Sequence, residues 1–179
     1  MNKITTVGIR LNPDITGKTH KKISTGGRHD KFGLSYKDCI NFCKEIKNLK
    51  NLKLNGISVH IGSQITSVKP FKEVLKIIDK IITQSKIDFK FIDLGGGMGI
   101  SYTSKEKELD INEYARIVSK FIKNKNTQII FEPGRFIVGN TSILISKVIY
   151  IKKSSNKSFI ILDAGMNDLM RPALYNAQH

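Results

Sequence analysis

At 179 residues, with 40% hydrophobic and 25% charged positions, the chain is long enough to bury one proper core. No charge-free apolar run reaches membrane-spanning length; Phe136 to Ile151 comes nearest and contains Asn140 and Lys147. The net charge of +15 raises nucleic acid as a partner, yet only five of the thirty basic residues are Arg, and Lys is spread over the whole sequence without a recognisable module. That distribution describes a lysine-rich solvated surface, with weak nonspecific polyanion binding at low salt and no specific nucleic-acid or membrane partner.

Met1 to Thr6 lack the apolar stretch of a secretory leader. Val7 to Leu11 read as a strand stopped by Asn12-Pro13-Asp14. A loop containing Gly26 and Gly27 precedes Ser35, which caps a helix with apolar positions Ile40, Cys43, Ile46 and Leu49. Cys39 and Cys43 are too few and too isolated for a disulfide framework or a zinc site, and are read as buried thiols in a reducing cytoplasm. A strand ending at His60 is followed by a helix through Phe71, Val74, Leu75, Ile78 and Ile82. A strand ending at Leu94 leads to a helix through Tyr114, Ile117, Val118 and Phe121, and a fourth strand runs through Gln128 to Phe131. After Arg135 the rhythm changes: Ile143 to Ile151 and Phe159 to Leu162 read as two strands joined by Ser154-Ser155-Asn156. The fold class is therefore α/β: a partial (β/α)8 TIM-type barrel, about its C-terminal half, over residues 1–140, followed by the start of a β-rich domain over 141–179. A closed barrel needs roughly 250 residues, so the sequence reads as the middle of something larger. An unclosed sheet is expected to leave Ile57, Val59, Ile92 and Ile130 partly wet and its strand edges open to a partner.

Three strand ends carry chemistry at regular intervals. His60 to Gly95 is 35 residues, and Gly97 to Glu132 is again 35. In a barrel of alternating strands and helices, sites are built at such C-terminal ends. Each motif has a plain reading: a satisfied core histidine at His60, a tight turn at Gly95-Gly96-Gly97, and an ion pair fixing a bend at Glu132-Pro133-Gly134-Arg135. Their joint placement suggests more. A backbone nest for phosphate, a flat imidazole and a carboxylate/guanidinium pair on neighbouring strand ends suit a phosphorylated aromatic cofactor such as pyridoxal phosphate.

Val59-His60-Ile61-Gly62-Ser63-Gln64, Asp93 to Gly99, and Glu132 to Arg135 resemble the successive signatures of the barrel-type, fold-type III pyridoxal-phosphate decarboxylases. Asp163 to Tyr175, with Arg171-Pro172-Ala173-Leu174-Tyr175, resembles the diaminopimelate decarboxylase branch. Arg10 to Pro13 and Ser24-Thr25-Gly26 with Lys31-Phe32-Gly33 agree with it. Gln178 departs from the pattern, which has Tyr before His179. The resemblance implies that pyridoxal 5'-phosphate is held by His60 against its ring, by Ser63, Gly95, Gly96, Gly97, Pro133, Gly134 and Arg135 at its phosphate, and by Glu132 at its pyridine nitrogen. Arg135, Arg171 and Tyr175 would hold the distal end of an amino-acid substrate. No metal is implied. The lysine that binds the cofactor covalently would lie upstream and a Cys–Glu pair downstream, so no catalytic residue is assigned within the chain. The implied reaction is decarboxylation of meso-diaminopimelate to L-lysine in a cytoplasmic homodimer, or by complementary fragments of a truncated or split gene. A non-catalytic remnant binding phosphorylated ligands, or another decarboxylase of basic amino acids, is the alternative.

Overall fold

The computed structural model describes residues 3–15, 25–28 and 30–179. Ser24, part of one quoted motif, and Met1-Asn2 of the leader reading lie outside the described residues. Four parallel strands form one sheet in the order β1 (Thr5–Leu11), β2 (Leu52–Val59), β3 (Phe91–Asp93), β4 (Gln128–Ile130). Helices α1 (Tyr36–Glu45), α2 (Lys69–Ser85) and α3 (Ile111–Ile122) make the crossovers, and a short helix α4 (Arg135–Val138) follows β4. The sheet is not closed into a barrel. A separate antiparallel hairpin pairs β5 (Val148–Lys153) with β6 (Ser158–Leu162), and α5 (Arg171–Tyr175) lies near the C-terminus. Among the described residues, no helix is long and apolar enough to cross a membrane.

Register explains which face is buried. Ile9, Ile57, Ile92 and Ile129 lie side by side across the four strands, and this row faces the helices. Ile57 and Ile92 are fully buried and Val59 nearly so, against the expectation that an open sheet would wet them. The reason is alternation: the next row, Arg10, Ser58, Asp93 and Ile130, points to the opposite, uncovered face. Of the four expected wet positions, Ile130 alone belongs to that row, and it is half-buried. Also on the uncovered face, the Phe91 ring lies over Gly56 and reaches Gly8, two register partners whose missing Cβ atoms leave it room.

The helices follow their periodicity. Ser35 caps α1, its hydroxyl accepting from Asp38 N–H at 3.2 Å and donating to the Asp38 carboxylate at 2.6 Å; such a cap contributes about 1 kcal/mol. The helical spacing that extended to Leu49 breaks at Ile46, where the chain tightens into a 3-10 turn over Ile46–Asn48 and leaves Leu49 exposed. Phe71 of α2 stacks on Tyr114 of α3 with centroids 4.6 Å apart, locking the helix layer. The strand expected from Ile143 begins only at Val148: among the described residues Ile143, Leu144 and Ile145 have no strand partner and are exposed, and the β6 ladder begins at Val148.

Candidate functional site

The C-terminal ends of β2, β3 and β4 meet at one rim. The β3–β4 ladder continues past the strands, Leu94 N–H donating to Ile130 O at 3.0 Å and Glu132 N–H to Gly95 O at 2.9 Å. These two bonds set Glu132 beside the glycine run. Gly96 passes so close to the Glu132 carbonyl that a Cβ would collide with it, and Gly97 passes as close to the Gly62 carbonyl with a φ of 88° that side chains avoid. The glycines are therefore needed to bring three strand ends into contact.

His60 follows directly after β2. Its carbonyl accepts from the Thr25 hydroxyl at 2.8 Å, so the loop after β1 pins the end of β2. Its Nδ1 accepts from Gly96 N–H at 3.2 Å, which leaves Nε2 to carry the proton of the neutral ring. Burial, seconded by the Arg10 guanidinium, lowers the His60 pKa below its ordinary value; Glu132 and Asp93 pull the other way and lose. The imidazole is held flat-faced, neutral and aimed by one backbone amide.

The nest is narrower than consecutive glycines suggest. Gly95 N–H donates to Asp93 Oδ1 at 2.8 Å and Gly96 N–H to His60, so both are engaged within the protein. The amides of Gly97 and Met98 make no hydrogen bond among the described residues, nor do those of Gly134, Arg135 and Phe136 at the start of α4. Ser63, half-buried in the loop after β2, likewise has a free hydroxyl among the described residues. A Cβ at Gly134 would meet open space. These unengaged donors, an exposed Glu132 carboxylate and a neutral imidazole fit the phosphate, the pyridine nitrogen and the ring of pyridoxal phosphate. A cleft of about 340 Å³ lies at the opposite strand ends, against Phe89, Asn126 and Thr127.

Arg135 reaches back to β2's loop, donating from Nη1 to Gln64 Oε1 at 3.0 Å; Gln64, at φ 62°, also accepts from Ile100 N–H at 3.4 Å and donates to Ile100 O at 2.5 Å. Arg171 approaches from the far end of the chain and lies over the Tyr102 ring, 4.2 Å from its centroid; Arg135 lies 6.0 Å from the same ring. Arg171 Nη1 is also 3.5 Å from His179 Nδ1. Arg135 and Arg171 thus converge, and Tyr175 at the end of α5 is half-buried. Asp93, Gln64 and Tyr102 had no role assigned from sequence. Asp93 was detectable as the carboxylate two residues before the first glycine; Tyr102, in an irregular loop, carries no periodic signal.

The family of pyridoxal-dependent decarboxylases, pyridoxal binding domain, matches residues 1–139. The diaminopimelate decarboxylase of Aquifex aeolicus is 41% identical over 182 residues, covering all of this chain and 43% of that protein. The solved structure of diaminopimelate decarboxylase from Helicobacter pylori, complexed with L-lysine, superposes with a TM-score of 0.86 at 39% identity, covering 99% of this chain and 45% of that one. The diaminopimelate decarboxylase of M. jannaschii, also in complex with L-lysine, gives 0.82 at 34% identity, covering 99% and 43%. The chain therefore spans less than half the length of the relatives it matches. With more than half its length matched by that domain, the chain belongs to the pyridoxal-dependent decarboxylase family.

Proposed function

We propose that the chain is the cofactor- and substrate-binding middle of a diaminopimelate decarboxylase, converting meso-2,6-diaminopimelate to L-lysine and CO2. On this reading residues 1–140 are part of the (β/α) barrel and residues 141–179 begin a β-rich domain. The observation that carries it is the meeting of Arg135 and Arg171, 36 positions apart in the sequence, over one ring next to the Glu132 rim. Two guanidinium groups suit a substrate whose far end carries its own carboxylate.

When bound, pyridoxal phosphate supplies an electron sink for the pair left behind as CO2 departs. Glu132 holds a proton on the pyridine nitrogen, and its backbone tie to Gly95 keeps it at that distance from the rim. His60 presents a neutral ring face, because a charged imidazolium would repel the protonated pyridine ring. Gly97, Met98 and the first amides of α4, with the Ser63 hydroxyl, bind phosphate oxygens. Arg171 and Arg135 orient the substrate's distal carboxylate, with Tyr175 closing the same end. The cofactor-binding lysine and the Cys–Glu pair come from other segments, so a homodimer or complementary fragments complete the site, in a cytoplasmic setting.

Calorimetry on the pyridoxal-phosphate-loaded chain tests the reading. L-lysine, which keeps the distal carboxylate of diaminopimelate, should bind more tightly than 1,5-diaminopentane, which lacks it. Equal affinities would remove the assignment to diaminopimelate.

A further inference from the structure

Tyr102 is where three groups from separate parts of the sequence meet: the guanidinium of Arg171 at 4.2 Å, that of Arg135 at 6.0 Å, and the His179 ring with centroids 5.5 Å apart. The two arginines are not held alike. Arg135 is gripped by Gln64 Oε1, itself fixed by the Ile100 backbone. Arg171 has no carboxylate or carbonyl partner, and its Nε is buried without a hydrogen bond among the described residues. A buried cationic donor left unsatisfied is costly, and the negative face of an aromatic ring is the group here that offsets it. The ring also removes rotamer freedom from a long side chain before any ligand arrives.

Resting on the function proposed above, we infer that Tyr102 is a positioning residue: its ring is the platform that holds Arg171 beside Arg135, so that the guanidinium nitrogens not taken by Gln64 and His179 can meet the substrate's distal carboxylate. The ring does this and the hydroxyl does not, since the hydroxyl makes no hydrogen bond among the described residues. Phe can therefore stand in for Tyr102, and Leu cannot.

The chain has only five arginines, so its arginine Nε–H spectrum is simple to assign, with Arg171→Lys identifying the Arg171 signal. That signal should be shifted upfield by the ring in the native chain, remain so in Tyr102→Phe, and return to the position of a solvated arginine in Tyr102→Leu. In parallel, L-lysine titrated into the pyridoxal-phosphate-loaded protein should bind Tyr102→Phe within about twofold of the native chain and Tyr102→Leu roughly three- to thirtyfold more weakly. Unreactive Cys39 and Cys43 thiols verify that each variant is folded. An unshifted Arg171 signal in the native chain overturns the platform outright, without needing a variant. A shift that survives Tyr102→Leu does the same. A ring-dependent shift in a chain that binds no L-lysine supports the platform and refutes the substrate reading, so the two fail separately.

Discussion

Replacing Gly96 with Ala is the sharpest test of how the rim is built. Gly96 does not occupy the left-handed region, so alanine carries no backbone strain there and the effect is purely steric. The new Cβ would lie 2.2 Å from the Glu132 carbonyl oxygen, and real Cβ atoms do not approach within 3.0 Å, so the end of β4 must retreat by roughly 0.8 Å. The next nearest atoms belong to Glu132 itself and to His60, so the retreat pulls apart the two groups proposed above to meet the cofactor ring. Overpacking of this kind costs about 1–3 kcal/mol of stability. A misplacement near 1 Å can cost on the order of 10²-fold where groups must converge on a ligand. Urea unfolding should show the lower stability, and absorbance titration with pyridoxal phosphate should show a larger loss of affinity. Ser155→Ala, in the exposed turn between β5 and β6, is the control, and both measurements should stay near the native values. Native affinity in Gly96→Ala, or an equal loss in Ser155→Ala, would refute the steric account of the glycine run.

Because His60 has a lowered folded pKa, the unfolded chain binds a proton more readily between that value and about 6.5; its contribution to stability should be complete above pH 6.5 and fall as pH drops towards the folded pKa, and an NMR midpoint above 6.5 for the His60 ring would contradict this. Arg171→Ala should cost L-lysine binding about 2–5 kcal/mol and leave pyridoxal phosphate retention nearly unchanged, whereas equal losses of both would detach Arg171 from the substrate. Burial pushes the Cys39 thiol up to about 12 and raises Cys43 as well, so Ellman's reagent at pH 8 should find neither thiol until the protein unfolds; fast labelling of the native chain would show that α1 is not packed as described.

Strand ends and helix faces were readable because each leaves a local mark. An apolar run stopped by His60, Gly95 or Glu132 predicts where a strand delivers its side chains, and the 3.6-residue repeat through Phe71, Val74 and Ile78 predicts the buried face of α2. Which face of the sheet meets the helices was not readable, since short strands with Ile on both sides do not declare it; the register of Ile9, Ile57 and Ile92 does. The glycine run was legible as a tight turn or a phosphate nest, but not that Asp93 and His60 take two of its three amides. That depends on side chains 2 and 36 residues away turning inward. Tyr102 was invisible for the same reason: its importance lies in Arg171, 69 positions later, and no spacing rule links a loop aromatic to a distant guanidinium.

The Phe91 ring resting over Gly56 and reaching Gly8 has an evolutionary consequence. One side chain fills, across three strands, the space that three would otherwise share. None of the three positions can then vary alone. A methyl group at Gly56 expels the ring, and shrinking Phe91 opens a void that neither glycine can close. The permitted route is a paired exchange, a smaller residue at 91 together with a larger one at 8 or 56, so these sites should change in concert among homologous chains while their neighbours drift independently.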